Sequence, residues 1–211
     1  INRQGLEPFD GRTLLLGAQD VELDGHTTPS VLKRLGVQMV MLGHSDTEKA
    51  AIGLAKAVER EAGLTGVDDE TGQHGQHVAQ IQRAIDEQVS RQLQAVGAVG
   101  LHGVLPVGER RAGPSAAAET SQRLRGRLRG VAPGIVANSI VMYEPFEAVG
   151  TQAVSVELAE QMQPPLRQTV SNVAGEVVGQ SIHVVYAGGV NTGNAARFLR
   201  VTDGVVVGRE S

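Results

Sequence analysis

Six short apolar runs, separated by stretches of helix length, constrain this chain more than any other feature of it. They fall at 14–16, 37–42, 104–107, 140–143, 182–186 and 205–207. Most are continuous rather than alternating, the pattern of parallel strands covered on both faces. Between them lie segments of helical spacing. The clearest is Val78, Ile81, Ile85, Val89, Leu93 and Val96, a stripe with steps of three and four along one face. Further helices are expected over 47–62 with Thr47 as N-cap, over 115–129, over 155–173 with an interruption at Pro164-Pro165, and over 194–199. The glycine-rich polar stretch 63–75 reads as a surface loop. Alternating strand and helix gives an α/β class with a parallel sheet. The pattern alone leaves open whether that sheet is doubly wound or closes into a barrel.

Composition removes several function classes. Lysine and arginine number 19 against 23 aspartates and glutamates, a net charge of −4, so no basic footprint suits a nucleic acid. No apolar run has the length of a membrane span. Cysteine is absent, which excludes disulfides and thiolate metal sites and fits a reducing cytoplasm, the compartment expected here. His74 and His77, three apart without further ligands, are a poor metal signal, and no metal is expected. Glycine is abundant, with 27 residues, many directly after apolar runs where turns and close ligand approach use them. The first residue is Ile1 and the last letters follow an apolar run, so a piece of a longer chain is expected.

Three phrases carry chemistry. His44 closes the run Val37-Gln38-Met39-Val40-Met41-Leu42-Gly43, at the carboxyl end of an expected parallel strand, where α/β folds bind ligands. A histidine satisfied by local backbone is the plain alternative. Glu144 follows Ile140-Val141-Met142-Tyr143, where a carboxylate is costly unless it faces a site or a partner; a surface glutamate opening a loop is its plain alternative. Gly188-Gly189 follows the run 182–186 and can turn backbone N–H groups toward a phosphate. The glycine spacing does not fit a dinucleotide-binding G-x-G-x-x-G turn.

In their order and spacing these phrases resemble triosephosphate isomerase, from about Leu14 to Ser211. Gly17-Ala18-Gln19-Asp20 is similar to the end of that family's third strand and Leu42-Gly43-His44-Ser45-Asp46 to that of its fourth. Val107-Gly108-Glu109 with Arg110-Arg111-Ala112-Gly113 resembles the segment after the fifth. Tyr143-Glu144-Pro145 through Gly150-Thr151 resembles the sixth strand and its lid. Tyr186 to Val190 resembles the seventh strand, and Asp203 to Gly208 the eighth. The resemblance implies a TIM (β/α)8-barrel fold in one domain over 1–211, here an incomplete barrel holding strands three through eight, with an extended segment at about 47–84.

The implied activity interconverts D-glyceraldehyde 3-phosphate and dihydroxyacetone phosphate through an enediolate, a step of glycolysis and gluconeogenesis. Glu144 is then the catalytic base and a neutral His44 the group that polarises the carbonyl, with Asp46 in support. Pro145, Phe146, Glu147, Ala148, Val149, Gly150 and Thr151 form the lid. Gly150, Gly189, Gly208 and Arg209 bind the phosphate. No cofactor is implied, and the partner is a small phosphorylated sugar rather than a nucleic acid or a membrane. A tetrulose-phosphate isomerase and a non-catalytic barrel relative are the alternatives.

Several positions depart from the family pattern. Asp46 stands for a glutamate, Glu147 for the lid tryptophan, Gly189 for a serine, Gln152 for a glycine, Pro106 for a cysteine and Arg209 for a glycine. The stretch 25–30 is shorter than the loop that reaches a neighbouring subunit, so the family's homodimer is not implied, while a homo-oligomer of another kind stays open. The family's asparagine and lysine belong to a first strand without counterpart in these 211 residues, which are therefore expected to be poorly active alone.

Overall fold

The computed structural model describes residues 15–16, 33–34, 36–42 and 73–207. All six expected apolar runs contribute strands: β1 (Leu15–Leu16), β2 (Met39–Met41), β3 (His102–Val107), β4 (Ile140–Tyr143), β5 (His183–Ala187) and β6 (Val205–Val206). They form one sheet in the order β1-β2-β3-β4-β5-β6, and every neighbouring pair is parallel. Sequential order with parallel pairing means that every crossover steps the same way. That is the winding of an α/β barrel, not of a doubly wound sheet, whose order reverses at a switch point. The alternative left open by the pattern is thereby resolved: the sheet is an incomplete barrel wall.

Side-chain alternation divides that wall into two layers. Val40, Leu105, Val107, Val141, Tyr143, Val184 and Tyr186 join the large cluster on the helix-covered face. Met41, Val104, Met142 and Ala187 form the smaller inner cluster, flanked by Met39, Ile140, Val185 and Val206. The continuous apolar runs follow from this, because both faces of each strand are lined.

The helices are α1 (Gln73–Ala98), α2 (Ala116–Arg127), α3 (Pro133–Ala137), α4 (Val156–Ala174), α5 (Glu176–Ser181) and α6 (Ala195–Phe198). In α1 the expected stripe turns inward, with Val89, Leu93 and Val96 buried. The helix ends where Gly100, at φ 73°, lets the chain turn into β3. It begins at Gln73, so the last residues of the expected loop 63–75 belong to it instead. The rest of that loop and the helix expected over 47–62 lie outside the described residues. Ser155 caps α4 by accepting the Leu158 N–H at 3.1 Å.

The interruption expected at Pro164-Pro165 does not occur, and α4 runs through both prolines. Each proline removes one N–H, leaving the carbonyls four residues earlier, at Glu160 and Gln161, without a helical partner. Both of those residues are exposed, where a lost backbone bond costs least. The opposite face supplies the holding force, since Ala159, Met162, Leu166 and Val170 are buried against the sheet. Among the described residues, no helix is long and apolar enough to cross a membrane.

Candidate active site

Parallel strands deliver all their carboxyl ends to one rim, and Glu144 stands on it. Its N–H donates to the Val107 carbonyl at 2.8 Å, which extends the β3–β4 ladder one residue beyond Tyr143. Ile140 and Met142 face inward and Val141 and Tyr143 outward. The alternation therefore carries Glu144 to the inner side, where it is 6% exposed. A carboxylate this buried at a strand end marks a site or a partner rather than a solvated loop.

The bed beneath it is the β3–α2 loop. A Cβ at Gly108 would lie 2.0 Å from the Glu144 carbonyl oxygen and 2.8 Å from the Pro145 nitrogen, so only glycine lets the two segments meet. The next residue, Glu109, is a second buried carboxylate, 1% exposed. It accepts the Tyr143 hydroxyl at 2.9 Å and the Thr120 hydroxyl at 3.2 Å. Sequence reasoning placed Glu109 in a family motif without giving it a task. The signal that singled out Glu144, a carboxylate closing an apolar strand, was equally present there.

The expected lid follows Glu144 directly. It contains a 3-10 turn, Phe146–Ala148, after Pro145 in an extended conformation. Phe146 and Ala148 are buried while Glu147 and Gly150 are exposed. Gly150 sits at φ 70°, a left-handed bend at the lid's crest. The Thr151 hydroxyl donates back to the Glu147 carbonyl, closing the segment on itself.

Beneath the lid's far end lies the loop after β5. Gly188 and Gly189 both have positive φ, 111° and 60°. A Cβ at Gly188 would meet Ala148 Cβ at 2.7 Å, and one at Gly189 would meet Ala153 N at 2.3 Å and Thr151 O at 2.8 Å. The glycine at 189, where the family resemblance expects a serine, thus has a local cause: the lid backbone occupies the volume a side chain needs. Asn194 fixes this loop by donating its amide to the Gly189 carbonyl at 2.9 Å.

Tyr186 joins the two. Its hydroxyl donates to the Gly188 carbonyl at 2.9 Å and accepts the Val154 N–H at 3.1 Å. Its ring stacks on Phe198 at 4.2 Å between centroids and lies 5.9 Å from Tyr143. Burial pushes the Tyr186 phenol up to about 12; the Glu109 and Glu144 carboxylates add to the rise and the Val154 N–H opposes it. Tyr143 moves well above the ordinary phenol range, first through burial and then through the Glu109 carboxylate.

Glu144, the lid residues, Gly150 and Gly189 are thus brought together on one rim. His44 and Asp46, like Gly208 and Arg209, lie outside the described residues. The described part of β2 runs parallel to β3, and the Leu42 N–H continues its ladder by donating to Val104 O at 2.9 Å.

The chain is similar to known proteins of one family. The family profile described as Triosephosphate isomerase matches residues 78–211. The triosephosphate isomerase of Lactobacillus delbrueckii subsp. bulgaricus is 26% identical over 219 residues, covering 98% of this chain and 74% of that protein. That of Roseiflexus sp. (strain RS-1) is 28% identical over 214 residues, covering 95% and 72% respectively. That of Streptococcus thermophilus (strain ATCC BAA-491 / LMD-9) is 26% identical over the same length, with the same coverage.

Proposed function

The chain belongs to the triosephosphate isomerase family, and on that premise we propose that Glu144 is the base of an aldose–ketose isomerisation at this rim. The enzyme is an isomerase, and its substrate a phosphorylated sugar. In the proposed reaction D-glyceraldehyde 3-phosphate and dihydroxyacetone phosphate interconvert. The Glu144 carboxylate takes the proton from the carbon beside the carbonyl. The C–H electron pair becomes the new C=C bond and the carbonyl pair moves to oxygen, giving an enediolate. Glu144 then returns the proton to the neighbouring carbon, while His44 shuttles a proton between the two oxygens with Asp46 in support. No external oxidant or reductant is consumed, because hydrogen only changes its carbon.

The lid, 145–151, excludes water from the enediolate. Gly150 and Gly189 offer backbone N–H groups to the phosphate, joined by Gly208 and Arg209. A glycine-rich rim suits that task, since a phosphate is bound by several short donors without bulky side chains in between. The reaction is assigned to the cytoplasm, in keeping with the absence of cysteine.

One observation carries this reading: an inward-facing, 6% exposed glutamate at the carboxyl rim, followed without a gap by a segment packed onto a glycine loop. The test is isomerisation at high enzyme concentration with deuterium uptake from solvent into product. Glu144→Gln is expected to lower turnover by about 10²–10⁴-fold, the usual worth of a positioned base. Equal turnover in the variant and the wild type would remove Glu144 from the reaction.

A further inference from the structure

The leading end of the lid is held from outside the site by a buried arginine of α2. Arg123 is 3% exposed. Its guanidinium carbon lies 4.6 Å from the centroid of the Phe146 ring, within cation–π range. Its Nη2 pairs with Glu119 Oε1 at 3.0 Å. The same carboxylate oxygen accepts the Arg110 N–H at 3.3 Å, which ties the pair to the β3–α2 loop. That loop in turn grips the lid backbone, because the Phe146 N–H donates to Glu109 O at 3.1 Å.

Phe146 is two residues beyond Glu144, with only Pro145 between them, at φ −57° and ψ 134°. A proline linker is stiff, so whatever fixes the Phe146 ring also fixes the direction in which the chain leaves Glu144. On the other side Gly108 abuts the Glu144 carbonyl. The Glu144 backbone is therefore clamped between a glycine contact behind and an anchored aromatic ring ahead. We propose that Arg123 is a positioning residue for Glu144: seated on Glu119, it pins Phe146 and so sets where the carboxylate stands. The proposal rests on the reading of Glu144 as the base.

The physical case depends on scale. A cation over a desolvated ring is attracted more strongly than one at an exposed site, and this arginine is buried together with the ring. A base displaced by about 1 Å loses on the order of 10²-fold in rate while ground-state binding barely changes. Arg123 should therefore act on kcat and leave KM alone, although it touches no substrate.

The test uses the whole chain with 4-fluorophenylalanine at its three phenylalanines. Phe146→Leu assigns the Phe146 resonance. In Arg123→Gln the Phe146 fluorine signal is expected to move while that of Phe198, stacked on Tyr186 in the core, stays in place. In parallel kcat falls about tenfold or more with KM within about twofold, and Arg123→Lys recovers part of both. Phe146→Leu is expected to reproduce the kcat loss, and adding Arg123→Gln to it to cost little more. If Arg123→Gln also displaces the Phe198 signal, Phe146→Leu alone decides, with unchanged kcat overturning the role. An unmoved Phe146 signal, or a moved one at full kcat, overturns it too. A wild type whose measurable turnover Glu144→Gln fully retains overturns the assignment of the base instead, so the two failures are told apart.

Discussion

The two ends of the segment 145–151, the proposed lid, are fastened by different physics. At the leading end long side chains add electrostatic contacts to the backbone bond between Phe146 and Glu109: Arg123 over the Phe146 ring, and Glu147 Oε2 accepting the Ala112 N–H at 3.3 Å. At the trailing end almost nothing but backbone is in play. Gly189 lies directly against the backbone of 151–153, and a single tyrosine hydroxyl spans Val154 and Gly188. The leading end therefore responds to which side chains stand around it, whereas the trailing end responds to any added volume.

The sharpest way to break that contrast is Gly189→Ala. The added methyl would sit 2.3 Å from Ala153 N in a backbone conformation with φ 60°, so strain and overlap coincide. Each of these is worth about 1–3 kcal/mol. A loss of about 2–6 kcal/mol is expected in urea unfolding, or, where the loop yields instead, an undocked segment with greatly increased amide exchange at 151–154. A variant with wild-type stability and exchange would mean that the contact is not tight.

Tyr186→Phe is the next step down. It deletes the hydroxyl but keeps the ring on Phe198, so the cost is the two bonds at Val154 and Gly188, about 1–2 kcal/mol when a partly buried N–H is left unsatisfied. Faster exchange of the Val154 amide, with α4 unaffected, checks it. The same residue supplies a pH test, because Tyr186 and Tyr143 are the chain's two tyrosines. Both phenols are raised in the folded state, Tyr186 to about 12. A folded-state pKa above the unfolded one gives stability that is complete below about pH 10 and fades as pH rises through the window toward the folded value. Phenolate absorbance near 295 nm should stay absent at pH 10 and appear at about pH 12 or together with loss of helix signal. A normal titration centred at pH 10 would show that the rings are not buried as described.

The strands were legible because two-sided burial writes itself into composition: a wall lined by Met41, Val104 and Met142 inside and Val40, Leu105 and Val141 outside has to be continuous. Glu144 was legible for the converse reason, as a carboxylate out of place. Arg123 and Arg127 were not. In the run 122–129 alternate arginines look like a solvated helix face, yet these two are 3% and 1% exposed. Arg127 reaches Asp86, 41 residues earlier, at 3.2 Å and also donates to the Pro106 carbonyl, while Arg123 reaches a ring in the lid. Burial raises the Asp86 pKa despite that partner, a balance set by packing that no local pattern displays. The short helices α3 and α5 lack the length for a readable period, and α4 passes its prolines because the residues that lose a partner are exposed while its other face is buried.

The smallest effect tests the exposed contact of the leading end. Glu147 is exposed, and its carboxylate accepts one N–H from Ala112 across the gap between lid and β3–α2 loop. An exposed bond of this kind competes with water and adds little net stability, so Glu147→Gln should change unfolding free energy by no more than about 0.5 kcal/mol. The amide oxygen can still accept the Ala112 N–H, whereas Glu147→Ala cannot offer an acceptor. If the leading end is held mainly by the arginine–ring contact, both variants leave the Phe146 fluorine signal in place and differ from each other only in Ala112 exchange. If either moves that signal as far as Arg123→Gln does, the lid's front is held by its exposed carboxylate, and the contrast between a side-chain clasp buried against α2 and a backbone seat on Gly189 has to be redrawn.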